Sequence, residues 1–362
     1  MRIFTSLFFL MLLLTASFVH AQNDVSVRKA LFERIKTAWQ NSDFATLEAM
    51  ENTYLDPSQR TPSGKRLLEV FDGYLAGLIT ITPEDEHLPP GPASESVIRQ
   101  EMQNGPPPSR YNIVNQAWDH LEKKINKWEQ AFPDSANPKI AKAIYYTNRG
   151  YYFRGMRFTS QVHREAWPIL QENYDEAQMV LVDTQTISRK NPIWFERMLD
   201  ILGVQSPPRE KIDSLIADTL EHGQGYPGAM HAAFLFMQPR WGGSYQKMED
   251  FARYANKKTM ATEHGILYAV LYWRLVFKTR DEMNQEFFTR TRASWPMMEQ
   301  SFKILVHRYP DPRNFRGYAL FACMAGETAK AKQLLENAYT PAILKEWTPS
   351  LVSKCIGPGS IS

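Results

Sequence analysis

The residues best able to do chemistry fall in a few short runs. Asn148–Phe158 (NRGYYFRGMRF) interleaves Arg149, Arg154 and Arg157 with aromatic side chains. Such interleaving suits the stacking of single-stranded bases. The chain, however, balances 42 basic residues against 39 acidic ones, a net charge of +3, and has no cationic footprint for nucleic acid. The run reads instead as an amphipathic helix whose tyrosines pack while its arginines are solvated or ion-paired. Arg154, between Phe153 and Gly155, is a candidate binding residue and a candidate anchor of an internal ion pair. The second run is Pro239-Arg240-Trp241-Gly242-Gly243-Ser244. Pro239 ends the helix that carries Phe234, Leu235 and Met237. The two glycines permit left-handed backbone, and Ser244 is suited to cap the next helix. Trp241 is then either packed under the turn or presented to a ligand, and Arg240 can stack on a ring or bind a carboxylate.

Other chemistries lack their patterns. The eight histidines form no HExxH, no HxH and no i,i+4 pair, so no metal site is expected. There is no Gly-x-Ser-x-Gly and no phosphate-cradling loop, and Gly223-Gln224-Gly225 reads as a turn. No cofactor is implied. Carboxylates such as Asp85, Glu86 and Asp119 are plentiful, but no acid pair can be chosen among them. A cell-envelope hydrolase, for example glycan-acting, with an acid pair in a helical groove therefore stands as the alternative function.

These residues need helices to position them. Val114, Trp118, Leu121, Ile125, Trp128 and Phe132 recur at spacings of four and three, which places them on one helical face. Pro133 stops that helix. Shorter stripes run through Val162, Ile169, Tyr174, Ala177 and Leu181, through Ile266, Ala269, Trp273 and Phe277, and through Met298, Phe302 and Leu305. Asn137-Pro138, Asn191-Pro192, Asp311-Pro312 and Thr340-Pro341 each join an N-cap side chain to a proline at the first helical position. Leu78–Thr82 is compatible with a strand or with a helix end. Thr82–Ser109 carries seven prolines and reads as an exposed loop or linker without regular helix. The chain so divides into a leader over 1–21, an N-terminal helical segment over 22–81, the Pro-rich loop over 82–109 and a helical domain over 110–355.

Arg2, the apolar run Leu7–Leu14 and Val19-His20-Ala21 have the layout of a secretory signal peptide cleaved after Ala21. The run is too short to span a bilayer, so a periplasmic or secreted protein without stable membrane insertion is expected. In an oxidising compartment Cys323 and Cys355, the only two cysteines, are expected to pair, tying the tail with Trp347 back to the last helices.

Phe315–Pro341 places Ala319 on one helix, Gly326-Glu327 at a turn, and Ala331 and Ala338 on a second helix. This resembles the tetratricopeptide repeat, and Tyr174–Ala177 is a weaker copy. Tyr226-Pro227, then Pro239–Ser244, then Phe251-Ala252 resemble a bacterial secreted family catalogued as a domain of unknown function (family 4034). Phe44, Leu47-Glu48, Tyr54, Arg154-Gly155, Trp295, Tyr309-Pro310 and Trp347 with Cys355 agree with that likeness. The resemblance implies a tetratricopeptide-like fold, brings no activity, and adds Tyr226 to Arg154, Arg240 and Trp241 as candidate binding residues. The expectation is an all-α protein of stacked helix hairpins, a solenoid or bundle. Its expected function is that of a non-enzymatic module binding a protein or peptide partner in a concave groove.

Overall fold

The computed structural model describes residues 23–81, 92–278, 286–336 and 349–356, together with 338 and 347. The leader, the first part of the Pro-rich stretch and Thr340-Pro341 lie outside the described residues. The fold is all-α, and among the described residues the only β pairing is one isolated bridge between Arg60 and Arg66. The patch at Leu78 is a helix end, as its alternative reading had it.

Three helices precede the Pro-rich stretch: α1 (Asp24–Gln40), α2 (Phe44–Tyr54) and α3 (Leu67–Leu78). A fourth, α4 (Pro92–Asn104), lies inside it. That corrects the expectation of a helix-free loop. Pro92 stands at the first helical position, where a missing N–H costs nothing, and no proline interrupts the next twelve residues. The densest prolines, 106 to 108, follow the helix end. The body continues with α5 (Tyr111–Ala131), α6 (Asn137–Arg154), α7 (Ala166–Asp183), α8 (Ile193–Gln205), α9 (Arg209–His222) and α10 (Pro227–Leu235). It ends with α11 (Tyr245–Lys258), α12 (Leu267–Lys278), α13 (Trp295–Arg308), α14 (Pro312–Met324), α15 (Thr328–Glu336) and α16 (Pro349–Cys355).

Packing follows the apolar stripes. On α5 the buried face is Val114, Ala117, Trp118, Leu121, Ile125 and Trp128, with Phe132 half-buried at the C-cap. Along α6 and α7 the helices approach closely at Gly150, where a Cβ would lie 3.1 Å from that of Asn173. Successive helices are neighbours through most of the body, as stacked hairpins require. The last hairpin, α14 and α15, turns at Gly326 with φ of 87°, and Ala319 and Ala331 are fully buried where the repeat likeness put its small residues, while Ala338, also buried, lies past the end of α15 rather than on it. Cys323 and Cys355 are disulfide-bonded with Cα atoms 5.9 Å apart. α16 packs on α14 and α15, and Trp347 is buried with them. In the chain-entropy picture a cross-link spanning 32 residues contributes about 3–4 kcal/mol.

Asp311-Pro312 keeps the expected spelling, whereas at Asn191-Pro192 the proline is itself the N-cap residue and at Asn137-Pro138 the asparagine is already helical. Asp311 caps α14 by accepting from the Arg313 N–H at 2.9 Å. Asn191 accepts from the Ile193 N–H at 3.0 Å. Asn137 does not cap α6; the hydroxyl of Ser135 receives its N–H, and its own amide donates to Glu48.

Candidate functional site

Polar contacts join the N-terminal helices to the whole length of the body. Glu48 and Glu51 share one face of α2 with buried Leu47 and Met50, three residues apart as helix neighbours are. Glu48 accepts from the Trp128 indole, Ser135 and Asn137, each at 2.8 Å. Glu51 accepts from the amide of Asn191. Burial raises the pKa of both acids, Glu51 the more strongly. On α3, Glu69 and Asp72 repeat the same spacing: Asp72 pairs with Arg197, and Glu69 with Arg274.

The connection between α2 and α3 is a tight loop. Thr61 N–H donates to the Lys65 carbonyl and Leu67 N–H to that of Gln59, both at 2.8 Å. Gly64 has φ of 83°, and a Cβ there would stand 2.5 Å from the Tyr309 ring, so the loop needs glycine for conformation and for space. The loop brings Arg60, Lys65 and Arg66 together. Arg60 grips Glu263 with two hydrogen bonds, at 2.7 and 3.0 Å, and Arg66 adds a third at 2.8 Å. Glu263 is almost wholly buried. Between this group and Arg274 lies a cavity of about 80 Å³.

Behind it, Glu196 and Tyr226 are enclosed. Burial, with Asp72, Asp200 and Glu69 adding to it against Arg197, pushes Glu196 up to about 8. By contrast, Arg274 and Lys65 overcome burial and hold Glu69 down at about 2. One carboxylate oxygen of Glu196 and the Tyr226 hydroxyl have no hydrogen-bond partner. A Cβ on Gly228 would fall 1.9 Å from that Glu196 oxygen, which explains why Tyr226-Pro227 is followed by glycine. Tyr226 is 0% exposed. It is therefore a core residue, and the expectation that it contacts a ligand directly is corrected.

The second region is the turn after α6. Gly155 (φ 69°) and Gly105 (φ 74°) face each other. A Cβ on either would stand 2.3 Å from the other strand's backbone, and Met156 N–H donates to the Gln103 carbonyl at 2.7 Å. The turn is thereby locked to the end of α4. Its apolar side chains nonetheless face outward: Met156 is 77% and Phe158 82% exposed, with Tyr151 and Met102 half-exposed beside them. An open cavity of about 250 Å³ lies between Met102, Tyr151 and Met156 and the end of α3. Asn148 braces that end, its amide donating to the Ala76 and Ile79 carbonyls at 2.8 Å.

Among the described residues Arg154 makes no ion pair, which departs from its expected role as an ion-pair anchor. Its guanidinium donates to the carbonyls of Gly155 (2.7 Å) and Arg157 (3.0 Å) and lies 5.7 and 5.8 Å from the centres of the Tyr151 and Trp167 rings. Arg157 donates to Asn104 at 2.7 Å.

The Pro239–Ser244 run forms a tight turn with Gly242 at φ 76° and Ser244 capping α11 through Lys247 N–H. Gly243 is needed for space, because a Cβ would stand 2.1 Å from the Met237 carbonyl oxygen. Trp241 is half-buried with its ring centre 5.3 Å from that of Phe236, and Arg209 donates to both their carbonyls. Arg240 is exposed, 5.9 Å from the Trp241 ring centre. Arg154, Tyr226 and the Arg240–Trp241 pair thus stand in three different environments and do not converge on one site.

The chain matches no protein-family model, no curated protein and no solved structure. Among the described residues, no three His, Cys, Asp or Glu side chains gather as metal ligands, and no helix is long and apolar enough to cross a membrane.

Proposed function

We propose that the chain is an exported helical-repeat protein that binds a peptide or protein partner at the turn 151–158. The observation that carries this reading is the outward display of Met156 and Phe158 on a backbone locked by two facing glycines. Apolar side chains this exposed, gathered beside an aromatic and two arginines, have the composition of interface hot spots. Rigid presentation lowers the entropy cost of association. Arg154 and Arg157 are held by carbonyls and an amide rather than by carboxylates, so the occupant that fits is a segment with an apolar side chain next to a carboxylate. The apolar leader and the bonded cysteine pair support export. The hydrolase alternative lacks comparable support, since Glu48 and Glu51 are each occupied by side-chain donors from the body.

Panning a random peptide library against residues 22–362 tests the reading. Enriched peptides should pair acidic with aromatic or aliphatic residues. Phe158→Asp and Met156→Asp should weaken their binding by about tenfold or more, as loss of a hot spot does, at an unchanged unfolding midpoint. Peptides that bind both variants as well as the parent would sink the proposal.

A further inference from the structure

The cavity between the α2–α3 loop and α12 holds an imbalance of charge. Four cations share two carboxylates: Arg60 and Arg66 meet Glu263, while Lys65 and Arg274 meet Glu69. Arg313 borders the same space, its guanidinium 5.5 Å from the Trp273 ring centre. Buried charge is costly unless neutralised, and the four paired cations outnumber the two carboxylates they meet. Lys65 shows the strain: burial, with Arg274, Arg313 and Arg28 adding to it, holds its ammonium below the ordinary lysine range despite Glu69. Its nearest carboxylate oxygen is 3.5 Å away, and its side chain is one-third exposed. Its donors are therefore available to a ligand entering from solvent.

The rest of the wall is mostly apolar, with Pro227, Ile266, Val270 and Leu305 beside the polar Ser63 and Asn314. A volume of about 80 Å³ is several times what one water needs and suits a molecule of a few heavy atoms. We propose that this cavity binds a small organic carboxylate, its oxygens meeting Lys65 and Arg274 and its short apolar stem lying against Ile266 and Val270. An anion there would meet the positive excess with charge-assisted hydrogen bonds. It would also join the α2–α3 loop to α12, so that binding adds stability. This site lies apart from the turn at 151–158 and does not depend on its reading.

Titration of residues 22–362 with isovalerate, acetate, inorganic phosphate and chloride, followed by calorimetry and by the unfolding midpoint, tests the proposal. Isovalerate should bind and raise the midpoint, acetate should bind more weakly, and phosphate and chloride should do neither. Lys65→Gln leaves the Glu69–Arg274 pair in place and should weaken isovalerate by about tenfold, the loss expected for one charged hydrogen bond. Val270→Phe fills the cavity and should abolish binding while the protein stays folded. No binding of isovalerate, binding of phosphate as tight as that of isovalerate, or undiminished binding by folded Val270→Phe would each overturn the assignment.

Discussion

At the seam, Arg60 and Arg66 are buried against Glu263, a carboxylate nearly two hundred residues away in the chain. At the turn, among the described residues, Arg154 and Arg157 meet backbone carbonyls, an amide and two aromatic rings. Both regions are built from arginine, glycine and aromatic residues, and both depend on a glycine pressed against another segment. They differ in what the fold brings to them. The α2–α3 loop meets the short segment before α12, which supplies the acid Glu263, and Tyr309 after α13, which covers Gly64. Among the described residues, the turn at Met156 meets the ends of α3 and α4, and Met156 and Phe158 stay largely in water. The same residue types serve cohesion in one place and display in the other, and long-range neighbours make the difference.

The largest expected effect lies in the seam. Glu263→Ala leaves two buried guanidinium groups without their acid and should cost about 3–5 kcal/mol in denaturant unfolding. A loss below about 1 kcal/mol, the range of surface ion pairs, would mean that water replaces the acid and would erase the contrast. Trp241→Ala comes next. A fully buried tryptophan lost from a core costs about 3–5 kcal/mol. Trp241 is only half-buried, so about 1–3 kcal/mol is expected from the apolar area it removes from water. A larger loss would move its turn into the same class as the seam.

The acids behind the cavity give a pH signature. Glu196 keeps its proton up to about pH 8 in the folded state and loses it near 4.5 when unfolded. Between those values the folded state holds more protons, so stability falls as pH rises. Glu69 has the opposite sign. Its folded value of about 2 lies below 4.5, so its contribution is present above 4.5 and is lost as pH falls towards 2. Glu196→Gln should flatten the decline between pH 4.5 and about 8 and leave the acid limb below 4.5 in place. An unchanged slope of urea midpoints across that window would refute the assignment to Glu196. The smallest stability effect belongs to the turn: Phe158→Ala should stay within about 0.5 kcal/mol, as exposed substitutions do. A cost above that would show that Phe158 is covered.

Periodicity made much of the fold legible. The α5 stripe, the last hairpin with its buried alanines and the Cys323–Cys355 pair could be read because each depends on residues within about three dozen positions of one another. The helix inside the Pro-rich stretch was hidden by averaging over the stretch, since the prolines crowd its two sides and leave 93–104 clear. The seam left a fainter signal, in acids spaced three apart within the apolar faces of α2 and α3. That pattern marks Glu48, Glu51, Glu69 and Asp72 as candidates for burial but names no partner for any of them. Tyr226 illustrates the same gap: the Tyr-Pro-Gly spelling marks a helix start, while its enclosure depends on Glu196 from another helix.

The sequence by itself determined the all-α class, most helix faces, the capped start at Asp311, and the nearness of the two cysteines. These follow from local rules, the helical period, the lost N–H of proline and short loop closure. Only the tertiary structure decided which arginines are neutralised, which aromatics are covered and where a cavity remains. Those outcomes depend on the charges and surfaces that distant segments bring within a few ångströms, and a side chain's solvation is set by that company rather than by its neighbours in the chain.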